Sequence, residues 1–132
     1  MQYWLLTIII IFLLVIIMVK NILSSRRRRW ILLRSSVSPE QLWYSCFLHI
    51  DKKDFIVAWK NLSSTLNIDQ YKLRPSDRLI DLMKTYPFPE MFWEDLEGLF
   101  SKYGAEDKIK DFSEETHVKD VICAIINISR DD

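Results

Sequence analysis

The polarity pattern along the chain begins with one long apolar block. Met1–Val19 contains no charged residue, and Leu5–Val19 is made of Leu, Ile, Val, Phe and Met except for Thr7. At 1.5 Å of rise per residue a helix over this run covers about 28–30 Å, one hydrocarbon core. Tyr3 and Trp4 stand near one interface of such a span and Trp30 near the other, where amphipathic rings are favoured. A cleaved signal peptide needs positive charge ahead of its apolar stretch and small residues at a cleavage site behind it. Here only the amino terminus precedes the run, and Lys20-Asn21-Ile22-Leu23-Ser24-Ser25-Arg26 follows it. The pattern predicts a retained transmembrane anchor over residues 1–23.

Beyond residue 37 the apolar positions recur at helical spacing. Ser38-Pro39-Glu40-Gln41 reads as a helix start, with Ser as N-cap, Pro at the first helical position and Gln closing a capping box. Leu42, Trp43, Cys46, Phe47 and Ile50 supply its stripe. Asp51 caps a second helix, with Asp54 at its third position and Phe55, Ala58, Trp59, Leu62 and Leu66 as its inner face. From Asn67 to Tyr86 the period is lost, which predicts a long connection packed through Leu73, Leu79, Ile80 and Leu82. A third helix is expected from Pro89 to Tyr103 on a stripe of Phe92, Leu96, Leu99, Phe100 and Tyr103, ended by Gly104 in the left-handed position. Ile109 and Phe112 fall in a short turn region. Thr116 is expected to cap a last helix with Val118, Val121, Ile122 and Ile125 inside. With two glycines and four prolines, the composition favours helices over a turn-rich sheet. The fold class expected is all-α: a single transmembrane helix followed by a small helical bundle.

Charge divides the chain in the same way. The net charge is zero, yet residues 1–34 carry Lys20, Arg26, Arg27, Arg28, Arg29 and Arg34 with no acid, and the remainder carries 12 basic against 18 acidic side chains. Residues 24–37 therefore form a basic juxtamembrane segment, and residues 38–132 a mildly acidic domain. The basic residues suit anionic lipid headgroups, and Lys and Arg beside a span stay on the cytoplasmic side. The expected localisation is a membrane, as in a bacterial inner membrane, with the C-terminal domain in the cytoplasm. No nucleic-acid partner is expected, because the arginine run directly follows an apolar span and the domain behind it is acidic.

The sequence holds no Gly-rich phosphate loop, nucleophile elbow or His-Glu-x-x-His helix. Cys46 and Cys123 lack paired spacing and read as free, buried thiols of a reducing compartment. His49 and His117 are isolated. Asp107, Asp111 and Glu115 do not make a calcium loop, since Ile109 occupies a ligand position and the central Gly is missing. No enzyme activity, metal or cofactor is expected.

Residues 52–128 resemble the acyl carrier protein family. The likeness rests on a first helix ending in Leu66-Asn67-Ile68-Asp69 and on the loop Leu73-Arg74-Pro75-Ser76-Asp77-Arg78-Leu79-Ile80-Asp81-Leu82. It rests also on the acidic helix Glu94-Asp95-Leu96-Glu97-Gly98-Leu99-Phe100-Ser101-Lys102-Tyr103-Gly104 and on Thr116-His117-Val118-Lys119-Asp120-Val121-Ile122. The resemblance implies an acyl-carrier-like bundle. It also implies a phosphopantetheine-bearing serine in an Asp-Ser-Leu motif at the start of the acidic helix. That place falls here on Met83-Lys84-Thr85-Tyr86-Pro87, which has no serine, so carrier activity should be absent.

What such a domain retains is its surface. Tyr86, Phe88, Met91 and Trp93 are expected to form an apolar patch where the carrier serine would stand, with Trp93 the most exposed of its tryptophans. Glu90, Glu94, Asp95 and Glu97 add an acidic face that suits a basic partner or simply solvates the helix. The reading reached is a membrane-tethered, non-enzymatic interaction module, of the kind used by a small immunity or adaptor protein, for an unidentified protein partner. Its rivals are an atypical carrier or lipid-handling protein modified on a hydroxyl near Thr85, and a small accessory subunit of a membrane complex. Against the last, Leu5–Val19 has no Gly or Ala stripe for close helix packing.

Overall fold

The computed structural model describes residues 2–131; Met1 of the expected anchor and Asp132 of the expected domain lie outside them. All regular structure among the described residues is helical. Helix α1 (Gln2–Leu32) is followed by α2 (Pro39–Cys46), α3 (Lys52–Thr65), α4 (Leu79–Met83), α5 (Pro89–Ser101), a 3-10 turn (Glu106–Asp111) and α6 (Val118–Asp131).

α1 is one uninterrupted rod of 31 residues, so the basic segment continues the apolar helix rather than forming a separate linker. Its apolar window has no buried residue and is long and apolar enough to cross a membrane. Of its described residues only Ile31, in the last turn, is buried. That side chain joins the core of the small helical body behind it.

Within the body α3 is central and packs against α2, α5 and α6. Its start is built locally: Asp51 accepts from the Asp54 amide at 3.2 Å. The capping box of α2 is complete, with Ser38 Oγ accepting from the Gln41 amide and Gln41 Oε1 accepting from the Ser38 amide. Phe55, Trp59 and Leu62 on α3 are buried, and Phe47 stacks on Phe55 at 4.6 Å between ring centroids. Buried Trp59 and half-buried Trp43 keep their N–H groups satisfied: Trp59 donates to the Gln70 carbonyl and Trp43 to that of Ile50. α3 ends at Asn67, whose φ of +53° lets the Ile68 and Asn67 amides donate back to the Ser63 and Ser64 carbonyls. α5 ends the same way at Gly104, φ +66°, with Ala105 and Gly104 donating to Phe100 and Ser101. In both endings the following residue, Ile68 or Ala105, is buried.

Three expectations are corrected. The connection from Asn67 to Tyr86 contains α4, whose five residues are too few to display a period. Leu73, Leu79 and Leu82 are buried as expected, while Ile80 is half-buried. Thr116 does not cap α6: its Oγ1 accepts from the Ser113 amide. Backbone carbonyls take that capping role, because Val118 and Lys119 donate to Asp77 and Pro75. Reciprocally, Leu79 and Ile80 at the start of α4 donate to Thr116 and Glu114. Two helix N-termini thus cap each other through their preceding loops, and the orphan amides of both are met without a side chain. Finally, Cys46 is exposed and Cys123 half-buried; both are free. The stripe of α2 turns Phe47 inward and leaves its neighbour Cys46 on the solvent side.

Candidate functional site

The six basic residues assigned to the membrane surface do not act alike. Arg34 belongs to the fold. Its Nη1 lies 2.8 Å from Asp77 Oδ2, and Asp77 is 6 % exposed. Its guanidinium also rests over the Trp30 ring at 4.2 Å. Around this pair, Arg74 donates its amide to Asp77 Oδ2 at 2.9 Å, and Lys72 and Arg74 donate side-chain bonds to the Arg34 and Ser35 carbonyls. Val37 donates to Tyr71 at 2.9 Å. The segment after α1 is therefore tied to the 70–77 loop, and the rod is rooted in the body. Arg34 is thus paired within the body, whereas the other five basic residues of this set make no ion pair among the described residues.

Lys20, Ser24, Arg28 and Ile31 recur at intervals of four, four and three, so they share one face of α1. That face lies along the body. Lys20 Nζ sits 4.1 Å from the centre of the Phe88 ring. Ser24 Oγ donates to the Thr85 carbonyl at 3.4 Å. Arg28, Ile31 and Leu32 close a cleft of about 220 Å³ against Asn67, Ile68, Asp69 and Thr85. The cleft is below the range of drug-sized or cofactor sites, roughly 300–1,000 Å³. Arg26, Arg27 and Arg29 are exposed.

The expected partner-binding set is split by the structure. Phe92, Leu96, Leu99 and Phe100 turn α5 inward. Glu90, Glu94 and Glu97, at intervals of four and three, share an exposed stripe on the far side. Trp93 is only half-buried and packs edge-on against Phe92 at 5.4 Å, so it is a flank of the core rather than an open platform. Tyr86 is half-buried, packs edge-on against Phe92 at 5.6 Å and donates its hydroxyl to Asp95 Oδ2 at 2.7 Å. Burial first, then the bond and charge of Asp95, hold the Tyr86 phenol well above its ordinary pKa; the charge of Arg28 acts the other way. Asp95 is exposed and also accepts the Tyr86 hydroxyl. Phe88 and Met91 remain open, 45 % and 43 % exposed. These two are the exposed members of the expected apolar patch, and Phe88 is the one that meets α1, under Lys20.

Thr85 is 3 % exposed, and its hydroxyl donates to the Leu82 carbonyl at 2.7 Å. It is not offered to a modifying enzyme in this conformation. Among the described residues no group of His, Cys, Asp and Glu is placed to hold a metal ion. Sequence reasoning missed the Arg34–Asp77 pair and the Lys20–Phe88 contact, because their partners lie far apart along the chain. No family model, curated protein or solved structure matches this chain.

Proposed function

We propose that this protein is a membrane-tethered, non-enzymatic interaction module whose cytoplasmic body recruits or occludes one protein partner. The observation that carries this reading is the rooting of α1: its apolar stretch is wholly exposed while its last turn is built into the core through Ile31. An apolar surface of that length needs a bilayer around it. The helix runs on without a break through Ser24 and Ser25, where a processed signal would present an accessible small-residue site. Lys20 then lies at the cytoplasmic headgroups and Arg26–Arg29 just beneath them, within the field of the anionic surface, which sets the body inside.

The docking surface in this reading is the stripe Glu90, Glu94 and Glu97, on the side of α5 turned away from the core. Carboxylates at that spacing present one negative edge that steers a basic partner. The burial of Thr85 supports a non-carrier use of the body. The test is affinity capture from solubilised membranes, comparing the parent with Glu90→Lys/Glu94→Lys/Glu97→Lys. The reversed chain should stay folded and lose the partner, while Thr85→Val keeps it. Equal recovery by the reversed chain, or a phosphopantetheine mass added at Thr85 on co-expression with a transferase, overturns the reading.

A further inference from the structure

The geometry points to a second membrane contact: the edge of the body formed by Phe88 and Met91 seats in the interfacial layer of the bilayer that α1 crosses. The inference rests on the anchor reading and adds the orientation of the body to it. Lys20 is the charge that ends the apolar run, and a basic residue at the end of a span is held at the edge of the hydrocarbon. Lys20 therefore marks the cytoplasmic boundary. The polar layer beyond that boundary is roughly 5–7 Å deep on each side. Ser24 lies about 6 Å below Lys20 along the helix axis. Phe88, under the Lys20 ammonium, and Thr85, bonded to Ser24, thus stand at the level of the headgroups.

The body does not hang beneath the anchor on a stalk. It lies beside the rod's last three turns, with one edge brought up to the lipid. The side chains on that edge suit the place. Phe88 is an exposed ring, and Met91, three residues on, shares its flank of α5. A ring and a thioether open to water at the headgroup level gain by dipping toward the acyl boundary. The Lys20 ammonium resting on Phe88 brings a positive charge to the level of the phosphates, as amphipathic side chains do at an interface. Around α5, Glu90 and Glu97 lie about 100° and 120° from Met91, while Glu94 and Asp95, one turn on, lie about 60° and 40° away and border the seat on its side away from Lys20. The attraction of this edge for the bilayer is therefore apolar, with Lys20 the cation at the same level.

The test uses the full chain in bilayers of phosphatidylcholine and phosphatidylglycerol, with Cys46→Ser and Cys123→Ala removing the native thiols. A nitroxide is placed singly at Leu14→Cys, Met91→Cys or Glu97→Cys, and its relaxation by oxygen and by an aqueous nickel complex is compared. At 14 the nickel effect should vanish and the oxygen effect be strong. At 91 most of the nickel effect seen in detergent-free buffer-exposed sites should be lost with oxygen access kept, while 97 keeps the nickel effect in full. A label at 91 as open to nickel as that at 97, with 14 in the core, overturns the seat and leaves the anchor standing. A label at 91 shielded from both agents shows protein covering the edge and overturns it too. Nickel access at 14 removes the anchor itself, and the seat with it.

Discussion

Arg34→Ala is the substitution that separates the charge paired within the fold from the exposed charges of the same rod. The Arg34 guanidinium makes a 2.8 Å contact to Asp77 and is 20 % exposed, while Asp77 is 6 % exposed. Removing one partner of a buried ion pair costs about 3–5 kcal/mol, because the other charge is left without compensation. Two features soften that here. The Arg74 amide still donates to Asp77, and the site retains some access to water. A loss of about 2–4 kcal/mol is the working value. For a body of about 100 residues this lowers the melting midpoint by at least about 8 °C. The assay is thermal unfolding of the detergent-solubilised full chain, read by the near-ultraviolet dichroism of its tryptophans, since buried Trp59 senses the core. Asp77→Ala should fall in the same range. The double variant should be less damaged than the two losses added, by about 0.5–3 kcal/mol, the usual coupling of residues in contact. Arg27→Ala, exposed on the same rod, should melt with the parent. Arg34→Ala melting with the parent, or strict additivity in the cycle, refutes the pair as a root of the anchor.

Leu96 is buried beneath α5, and Leu96→Ala should cost about 2–5 kcal/mol in the same melt, a large share of a small domain's stability. Tyr86 titrates above its ordinary value of 10.0 in the folded body, so the folded state holds this proton more tightly than the unfolded chain. The stability it contributes is fully present below pH 10 and is lost as pH rises beyond it; Tyr86→Phe should flatten the alkaline limb of a midpoint-against-pH curve, and an unchanged limb would count against the Asp95 bond. Replacing Arg26–Arg29 with Gln should leave a mixed orientation in the membrane, because basic residues beside the span set it. A C-terminal reporter active only outside the cytoplasm would register that mixture, against silence in the parent.

The parts of this fold that were legible in the sequence are those decided within one turn of chain. Ser38 with Gln41, Asp51 with Asp54, and Gly104 after α5 fix helix ends through neighbours three or four residues away, and each is found where its sequence context places it. The stripes Phe92–Leu96–Leu99–Phe100 and Val118–Val121–Ile122–Ile125 repeat often enough to declare their inner face. What was not legible depends on distant partners. Arg34 reads as one more basic residue until Asp77, far along the chain, is folded beside it. Thr116 has the composition of a cap, but the Pro75 and Asp77 carbonyls arrive at those amides first. The aromatic residues of the expected patch divide for the same reason. Tyr86 and Trp93 are both drawn against Phe92, and only Phe88 and Met91 are left open.

The measurement that bears most directly on tethering is the intact mass of the chain recovered from alkali-washed membranes. A retained α1 gives the full 15.8 kDa in the membrane fraction and none in the wash. A chain shortened by its apolar run, or one released by alkali, would contradict the anchor on which the proposed function is built.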